Sequence, residues 1–374
     1  MRSEIRSLTG LRGLAALWVM IGHYIGDGPA NATVRDVVEH MYLAVDIFMV
    51  LSGFVLARSH DGDFRDPLTV RQTLRFLWRR LARIYPIYVL SSLVCMLLVI
   101  TGIDVWGSPE LSLPMILTNL AMAQSWGLPY DGLNAVSWSI SIEWAANLLF
   151  PAFGLLFMRG SLRRSVVAAV ATVLALVLFA AFAGGDAPDD PPMFGALTWY
   201  SFPGSMIRCT TEFMLGMFCW RLRRDVAGAG FLGRDTVLVP ATLAMAVMTL
   251  SQAMDMAFLV LSCAVVIGFS FERSLTARAF ASPVPRWLGT ISFSLYLWHI
   301  PMLQLAPGIV GLMEHVGILQ PWLIGHLLLM LAVLAVSAAS FKWVERPAQR
   351  WLQPMFAAWL TDVQPTRRQA EVTP

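Results

Sequence analysis

The stretch Leu8-Thr9-Gly10-Leu11-Arg12-Gly13-Leu14-Ala15-Ala16-Leu17-Trp18-Val19-Met20-Ile21-Gly22-His23-Tyr24-Ile25 decides the fold. Arg12 and His23 are the charged or imidazole side chains in an otherwise apolar run. Coiled as a helix that rises 1.5 Å per residue, it reaches about 27 Å, close to the roughly 30 Å hydrocarbon core of a bilayer. Nine more apolar runs follow, at 41–57, 84–102, 136–158, 165–183, 205–220, 236–252, 256–271, 287–305 and 321–343. The chain has 374 residues, 57% hydrophobic and 14% charged, with a mean hydropathy of +0.64, and offers no polar segment large enough for a separate soluble domain. The reading is an all-α, polytopic membrane bundle of about ten transmembrane helices. Residues 1–345 form one transmembrane domain and 346–374 a cytoplasmic tail. Runs shorter than about 18 residues need flanking residues or a thinner bilayer to span it.

Basic residues set the orientation. With the N-terminus inside, 24 of the 27 fall on the cytoplasmic side; Arg12 lies within the first span, Arg35 outside, and Arg208 near the outer end of the sixth. The expected topology is N-in and C-in, in a bacterial cytoplasmic (inner) membrane. The outer loops carry breakers at 26–29, 107–109 and 184–192, the last with Asp186, Asp189 and Asp190. The stretch 111–129 is too short and too proline-broken to span twice, so it is re-entrant or lies on the surface. Residues 2–25 followed by Ala30-Asn31-Ala32 imitate a signal peptide, but Arg12 and His23 interrupt the apolar core, so an uncleaved first helix is expected. Cys95, Cys209, Cys219 and Cys263 lie in apolar runs with no paired spacing, so neither a disulfide framework nor a metal site is expected. There is no internal repeat. A net charge of +3 says less here than the placement of the arginines, and no nucleic-acid partner is expected.

Ionisable groups inside the hydrocarbon are costly and therefore candidates for function. They are Arg12, His23, Asp46, Glu143, Arg208, Glu212, His299 and His326. Eleven residues of helix are three turns plus about 20°, so Arg12 and His23 share one face about 16 Å apart. Asp46, near the outer end of the second span, lies at a depth comparable to His23, where a carboxylate would fix the imidazole tautomer. Arg71, Arg75, Arg79 and Arg83 repeat every four residues with Arg80 beside them. Such a basic stripe suits a phosphate-bearing ligand or anionic lipid headgroups. Ser139 and Glu143 are one turn apart, close enough for the hydroxyl to orient the carboxylate or to belong to a structural network. Arg208 and Glu212 form an i,i+4 pair that can simply hold the sixth span in place. The Ser52-Gly53 step suits the close approach of a neighbouring helix or of a thin ligand arm.

Seven blocks in order resemble the membrane acyltransferase-3 family, along nearly the whole chain. They are Leu8 to Ala16 with His23 following; Val45-Asp46-Ile47-Phe48-Met49-Val50-Leu51-Ser52-Gly53-Phe54; Arg80-Leu81-Ala82-Arg83-Ile84-Tyr85-Pro86; Ser137-Trp138-Ser139-Ile140-Ser141-Ile142-Glu143; Glu212 to Gly216; Ser294-Leu295-Tyr296-Leu297-Trp298-His299-Ile300-Pro301; and Glu345-Arg346-Pro347. Two departures are visible. Phe48-Met49 stands where two phenylalanines are usual, and Arg208 is four rather than three residues before Glu212. The resemblance implies that His23 is the catalytic base or acyl carrier, that Arg12 is essential, and that Arg80 and Arg83 serve the donor. On the residues themselves, Asp46 or Glu143 is expected to assist His23, and Arg79, Ser139, Tyr296 and His299 join Arg12, Arg80 and Arg83 as candidates for substrate and donor binding.

The implied donor is a cytoplasmic acyl-coenzyme A, acetyl-CoA in the first place, with no permanently bound cofactor. The implied acceptor is a hydroxyl of a glycan, a lipid-linked sugar or a glycosylated small molecule, with membrane lipids as surroundings. Direct transfer and an acyl-histidine intermediate are both compatible with these residues. Two rivals share the pattern. A proton-coupled secondary transporter also buries His, Asp and Glu, but it commonly carries internal repeats; a lipid-binding protein explains the arginine stripe but not the alignment of Arg12 with His23.

Overall fold

The computed structural model describes residues 4–26, 34, 38, 40–63, 69–103, 111–182 and 202–362, without the side chains of 252 and 356–362. The loop residues 27–33, 35, 107–109 and 184–192, and the end of the tail from 363, lie outside them. The architecture is helical: α1 (Arg6–Gly26), α2 (Leu43–Ser59), α3 (Val70–Ile100), α4 (Leu113–Leu120), α5 (Ser137–Phe157), α6 (Leu162–Phe182), α7 (Gly204–Asp225), α8 (Asp235–Met248), α9 (Asp255–Phe269), α10 (Leu275–Phe280), α11 (Pro283–Leu303), α12 (Ala306–His315), α13 (Pro321–Ser340) and α14 (Arg346–Asp362). Each of the ten apolar runs is helical. By length and composition six are candidate spans, or up to eight if two bent pairs each count as one: the 3₁₀ turn Ala227–Gly233 with α8, at 61°, and α11 with α12, at 50°. The other two runs fall short for separate reasons. α7 contains Arg208, Glu212 and three arginines in its last five residues, and α9 is only 15 residues long.

Polarity is distributed as lipid requires. On α6, Val167, Val170, Leu174 and Leu178 are exposed, while Ser165, Ala169, Leu176 and Ala180 form the buried stripe. The buried stripe is mostly of small residues, and valines and leucines make up much of the outer face. Charged groups do the reverse: Asp46, Arg208 and Glu212 are completely buried.

Local signals set the helix ends. Thr69 opens α3 with a capping box, its hydroxyl accepting from the Gln72 amide while the Gln72 side chain accepts from the Thr69 amide. The first free amides of α1 are satisfied from a distance, since Arg6 N–H and Ser7 N–H both donate to Glu272 Oε1, at 2.7 and 3.3 Å. Between α13 and α14 the helix does not stop but widens into a π-turn over Phe341–Glu345. The segment expected as a tail thus begins as a helix against α3, where Trp78 Nε1 donates to the Leu352 carbonyl at 2.7 Å.

The stretch 111–129 does not span: α4 has eight residues, and Leu113, Leu117, Leu120 and Leu128 stay exposed while other side chains turn inward. After α4 the chain turns at Met122 (φ 54°) and packs inward, with Met115, Asn119, Met122 and Gln124 buried. Asn119 satisfies the turn by donating to the Asp131 carbonyl at 2.9 Å and accepting from Leu133 N–H at 2.9 Å. Protein partners thus satisfy the irregular backbone where the chain turns inward.

Two helix pairs form the frame of the site. α1 and α11 run parallel and touch backbone to backbone: a Cβ on Gly13 would lie 2.3 Å from Gly289 N, and one on Gly289 would lie 1.9 Å from the Thr9 carbonyl oxygen. α2 and α7 also run parallel, with Gly53 against the Phe213 carbonyl and Gly216 against the Val50 carbonyl at 1.9 and 2.1 Å from the added Cβ. Gly53 therefore serves helix packing.

Candidate active site

Polar contacts tie the α1–α11 pair at both ends. Near its start, Arg12 Nη2 donates to the Gly289 carbonyl at 2.7 Å; near its end, His23 meets His299, with Nδ1 of the first 3.3 Å from Nε2 of the second. The step from Arg12 to His23 and the step from Gly289 to His299 are each about 15 to 16 Å of helix, so parallel packing brings both contacts together.

The contacts of the two imidazoles assign their protons. His23 Nδ1 lies 3.0 Å from the Val19 carbonyl and His299 Nδ1 lies 3.3 Å from the Leu295 carbonyl. A carbonyl can only accept, so each Nδ1 carries hydrogen and His23 Nδ1–H is shared between Val19 O and His299 Nε2. The basic nitrogen of His23 is then Nε2. Around the pair, Tyr296 packs 5.6 Å from the His299 ring, and its phenol lies 2.8 Å from the Ser139 hydroxyl. Phe48 leans edge-on against Tyr296 at 5.8 Å, and the Tyr24 hydroxyl donates to the His299 carbonyl at 3.1 Å.

A second cluster lies toward the start of α1. Arg80 Nη2 donates to Glu143 Oε1 at 2.7 Å, and the Ser52 hydroxyl donates to the same oxygen at 2.7 Å, so α2, α3 and α5 meet at one carboxylate. Arg83 and Arg12 lie within electrostatic reach of this pair and of Glu345. Glu345 is buried, accepts from the Ser294 hydroxyl at 3.0 Å through Oε2, and receives Gln349 Nε2 at 3.3 Å on Oε1. Three guanidiniums thus face two carboxylates, an excess of one positive charge. Arg12 Nε and Arg80 Nε are buried without a hydrogen-bond partner among the described residues.

The structure regroups the residues expected from sequence. Arg12, Arg80, Arg83 and Glu143 come together, as do His23, His299, Tyr296 and Ser139. Asp46 joins neither. It sits with Arg208, which donates to Asp46 Oδ1 through Nε at 2.9 Å and through Nη2, to Glu212 at 3.2 Å and to the Tyr42 carbonyl at 3.2 Å. The expected neighbourhood of Asp46 and His23 is corrected for a physical reason: α2 pairs with α7, and a guanidinium matches a carboxylate better than an imidazole does. The Arg208–Glu212 pair is present, with Asp46 as its third member.

Ser139 does not orient Glu143, because its hydroxyl is committed to Tyr296 and the Val136 carbonyl. Nor is the four-residue arginine repeat a single stripe. Each i,i+4 step rotates by about 40°, so Arg71 and Arg83 differ by about 120°; Arg71 and Arg79 are exposed, while Arg80 and Arg83 are partly buried. His326 stacks on Trp322, at 4.5 Å, and on the edge of Tyr24, at 6.0 Å. Sequence reading singled out neither Glu345 as an inward carboxylate nor His299 as a partner of His23.

The Acyltransferase domain family matches residues 5–342, which include both clusters up to the π-turn. The chain belongs to the acyltransferase-3 family. It is an acyltransferase and a multi-pass membrane protein. It is similar to Acyltransferase MdmB of Streptomyces mycarofaciens, 28% identical over 380 residues that cover 93% of this chain and 92% of that protein. It is also similar to the putative membrane-bound transacylase BcsY of Komagataeibacter xylinus, 26% identical over 92% of this chain and 83% of that one. The peptidoglycan O-acetyltransferase OatA of Listeria monocytogenes is 22% identical over 93% of this chain, which spans 56% of that protein. No solved structure matches this acyltransferase-3 chain.

Proposed function

We propose that this acyltransferase moves an acyl group, acetyl in the first place, from cytoplasmic acyl-coenzyme A to a hydroxyl of a glycan, a lipid-linked sugar or a glycosylated small molecule. The observation that carries the reading is the surplus of positive charge formed by Arg12, Arg80 and Arg83 against Glu143 and Glu345, about 16 Å along α1 from a histidine whose basic nitrogen is Nε2. Donor phosphates suit the guanidiniums, and a pantetheine arm laid along α1 carries the thioester toward His23.

In the direct route, His23 Nε2 takes the acceptor hydroxyl proton as the oxygen attacks the thioester carbonyl. The carbon–sulfur bond breaks, an ester forms, and the proton passes to the departing thiolate. In the two-step route, Nε2 attacks the thioester carbonyl and the carbon–sulfur bond breaks to release coenzyme A thiolate; the acceptor oxygen then attacks the acyl-imidazole, the carbon–nitrogen bond breaks, and the hydroxyl proton ends on the thiolate. The acceptor class draws support from the name of one relative, a peptidoglycan O-acetyltransferase. The membrane is taken as the bacterial cytoplasmic one, with both termini inside, residues 1–345 as the catalytic domain and 346–374 as the tail.

The test is release of coenzyme A from acetyl-CoA by the purified protein, with and without simple sugar acceptors, beside the His23→Ala variant. Turnover that depends on His23 supports the reading. A protein that transports a solute and never consumes thioester overturns it.

A further inference from the structure

We infer that Glu345 is a counter-charge built into the donor site, placed there by the π-turn to weaken the hold on the coenzyme so that the spent product can leave. The inference rests on the proposed donor reading of the arginine cluster and adds a regulatory residue to it.

The argument begins with the backbone. An α-helix presents a given face every three to four residues, and a π-turn inserts one extra residue into that register. The turn at Phe341–Glu345 lies between α13, whose outer face is apolar, and α14, which is fastened to α3 by Trp78. Immediately before it, Ser340 Oγ accepts from Trp298 Nε1 at 2.8 Å; at its end, Glu345 takes the Ser294 hydroxyl. Both partners belong to α11, the helix whose Gly289 carbonyl receives Arg12. Gly289 and Ser294 are about 7.5 Å apart along that helix and about 140° around it, so α11 anchors a guanidinium and a carboxylate at two separate points without pairing them.

That separation is informative. A buried carboxylate near arginines would normally close into an ion pair, as Glu143 does with Arg80. Glu345 instead spends its oxygens on Ser294 and Gln349, and Arg12 spends Nη2 on a carbonyl while its Nε stays unpartnered. The charge of Glu345 is thus felt by the cluster without occupying the guanidinium edges. With it the cluster carries one surplus positive charge; without it, two.

Acyl-coenzyme A and free coenzyme A bear the same phosphates, so any gain in electrostatic grip holds product as firmly as substrate. A site that must turn over benefits from a moderated grip. Glu345 supplies that moderation at the phosphate end, far from the thioester.

The test is calorimetric titration of free coenzyme A into the purified full-length protein, Glu345→Gln and Glu345→Asp. Glutamine keeps the shape and can still accept from Ser294, but removes the charge. The expected result is coenzyme A bound at least about fivefold more tightly by Glu345→Gln, with stronger product inhibition, and within about threefold of the parent by Glu345→Asp. If Glu345→Gln does not fold, Glu345→Ala removes the same charge without asking Ser294 to keep its bond, and the same tightening is expected. A merely structural glutamate gives weaker binding in the neutral variants, which overturns the inference, as does tightening by Glu345→Asp as well. A parent that binds no coenzyme A refutes the donor reading itself, a different outcome from a parent that binds and neutral variants that fail to bind more tightly.

Discussion

His23 Nδ1 and His299 Nε2 lie 3.3 Å apart, an imidazole pair shared by two parallel helices in the interior of the bundle. If His23 acts through Nε2, its partner fixes the tautomer without touching substrate. His23→Ala is expected to lower acyl transfer by at least about a hundredfold while leaving insertion and coenzyme A binding intact. His299→Gln keeps a side-chain acceptor and is expected to lower kcat more than it raises KM. Near-parental turnover by His23→Ala would remove the histidine from the chemistry.

Arg80 and Glu143 compensate each other at 13% and 19% side-chain exposure. Removing one partner leaves a shielded charge alone, so Arg80→Gln or Glu143→Gln is expected to lower stability by about 3 kcal/mol. The double variant should recover much of that loss, read as a coupling energy in thermal unfolding. Additive losses would mean that the two side chains do not act as a pair.

Arg83 makes the cleaner test of phosphate binding, because Arg80 is engaged by Glu143. Arg83→Lys keeps the charge but loses the planar fork. Acetyl-CoA should bind about tenfold to a hundredfold more weakly, the equivalent of about 1.5 to 3 kcal/mol for one charge-assisted contact. Unchanged affinity would assign Arg83 to diffuse attraction of headgroups.

Gly53 and Gly62 separate packing from chance. A methyl group at Gly53 meets the Phe213 carbonyl oxygen at 1.9 Å, whereas at Gly62 nothing lies within 4 Å. Gly53→Ala is expected to lower stability by about 1–3 kcal/mol and Gly62→Ala to change it by less than about 0.5 kcal/mol. Equal effects in thermal unfolding would mean that the α2–α7 seam relaxes freely.

Reporter fusions check the orientation. Fusions after Arg164, Arg224 and Arg278 should report cytoplasm, and insertions between Asp186 and Asp190 the outside, because the basic residues cluster on one set of loops. One inverted loop would change the number of spans.

Much of this was legible in residue order, and the reasons differ from site to site. All ten apolar runs are helices; length and hydropathy account for most of them, while α7 and α9 are helical without meeting that measure. The shared face of Arg12 and His23 follows from helical geometry, and each meets α11 as that geometry allows. Pairings between helices were out of reach. Depth suggested Asp46 beside His23, but depth does not say which helix is the neighbour, and the glycines at 53 and 216 chose α7. Glu345 was hidden by the π-turn, since a regular period of 3.6 residues gives no warning that the register slips just before it.

The glycine seams have a mechanical consequence. α1 with α11 and α2 with α7 behave as two girders, each welded main chain to main chain, and neither can be prised apart by something as thin as an acyl arm. Any gap that opens during turnover therefore belongs between the girders, and the side chains there are compliant. Met41 lies over Gly22, where an added methyl group would come 2.3 Å from its sulfur, and Phe48 rests on Tyr296 through ring contact alone. A thioether and an aromatic edge, and no main-chain weld, are what these two contacts put between the girders.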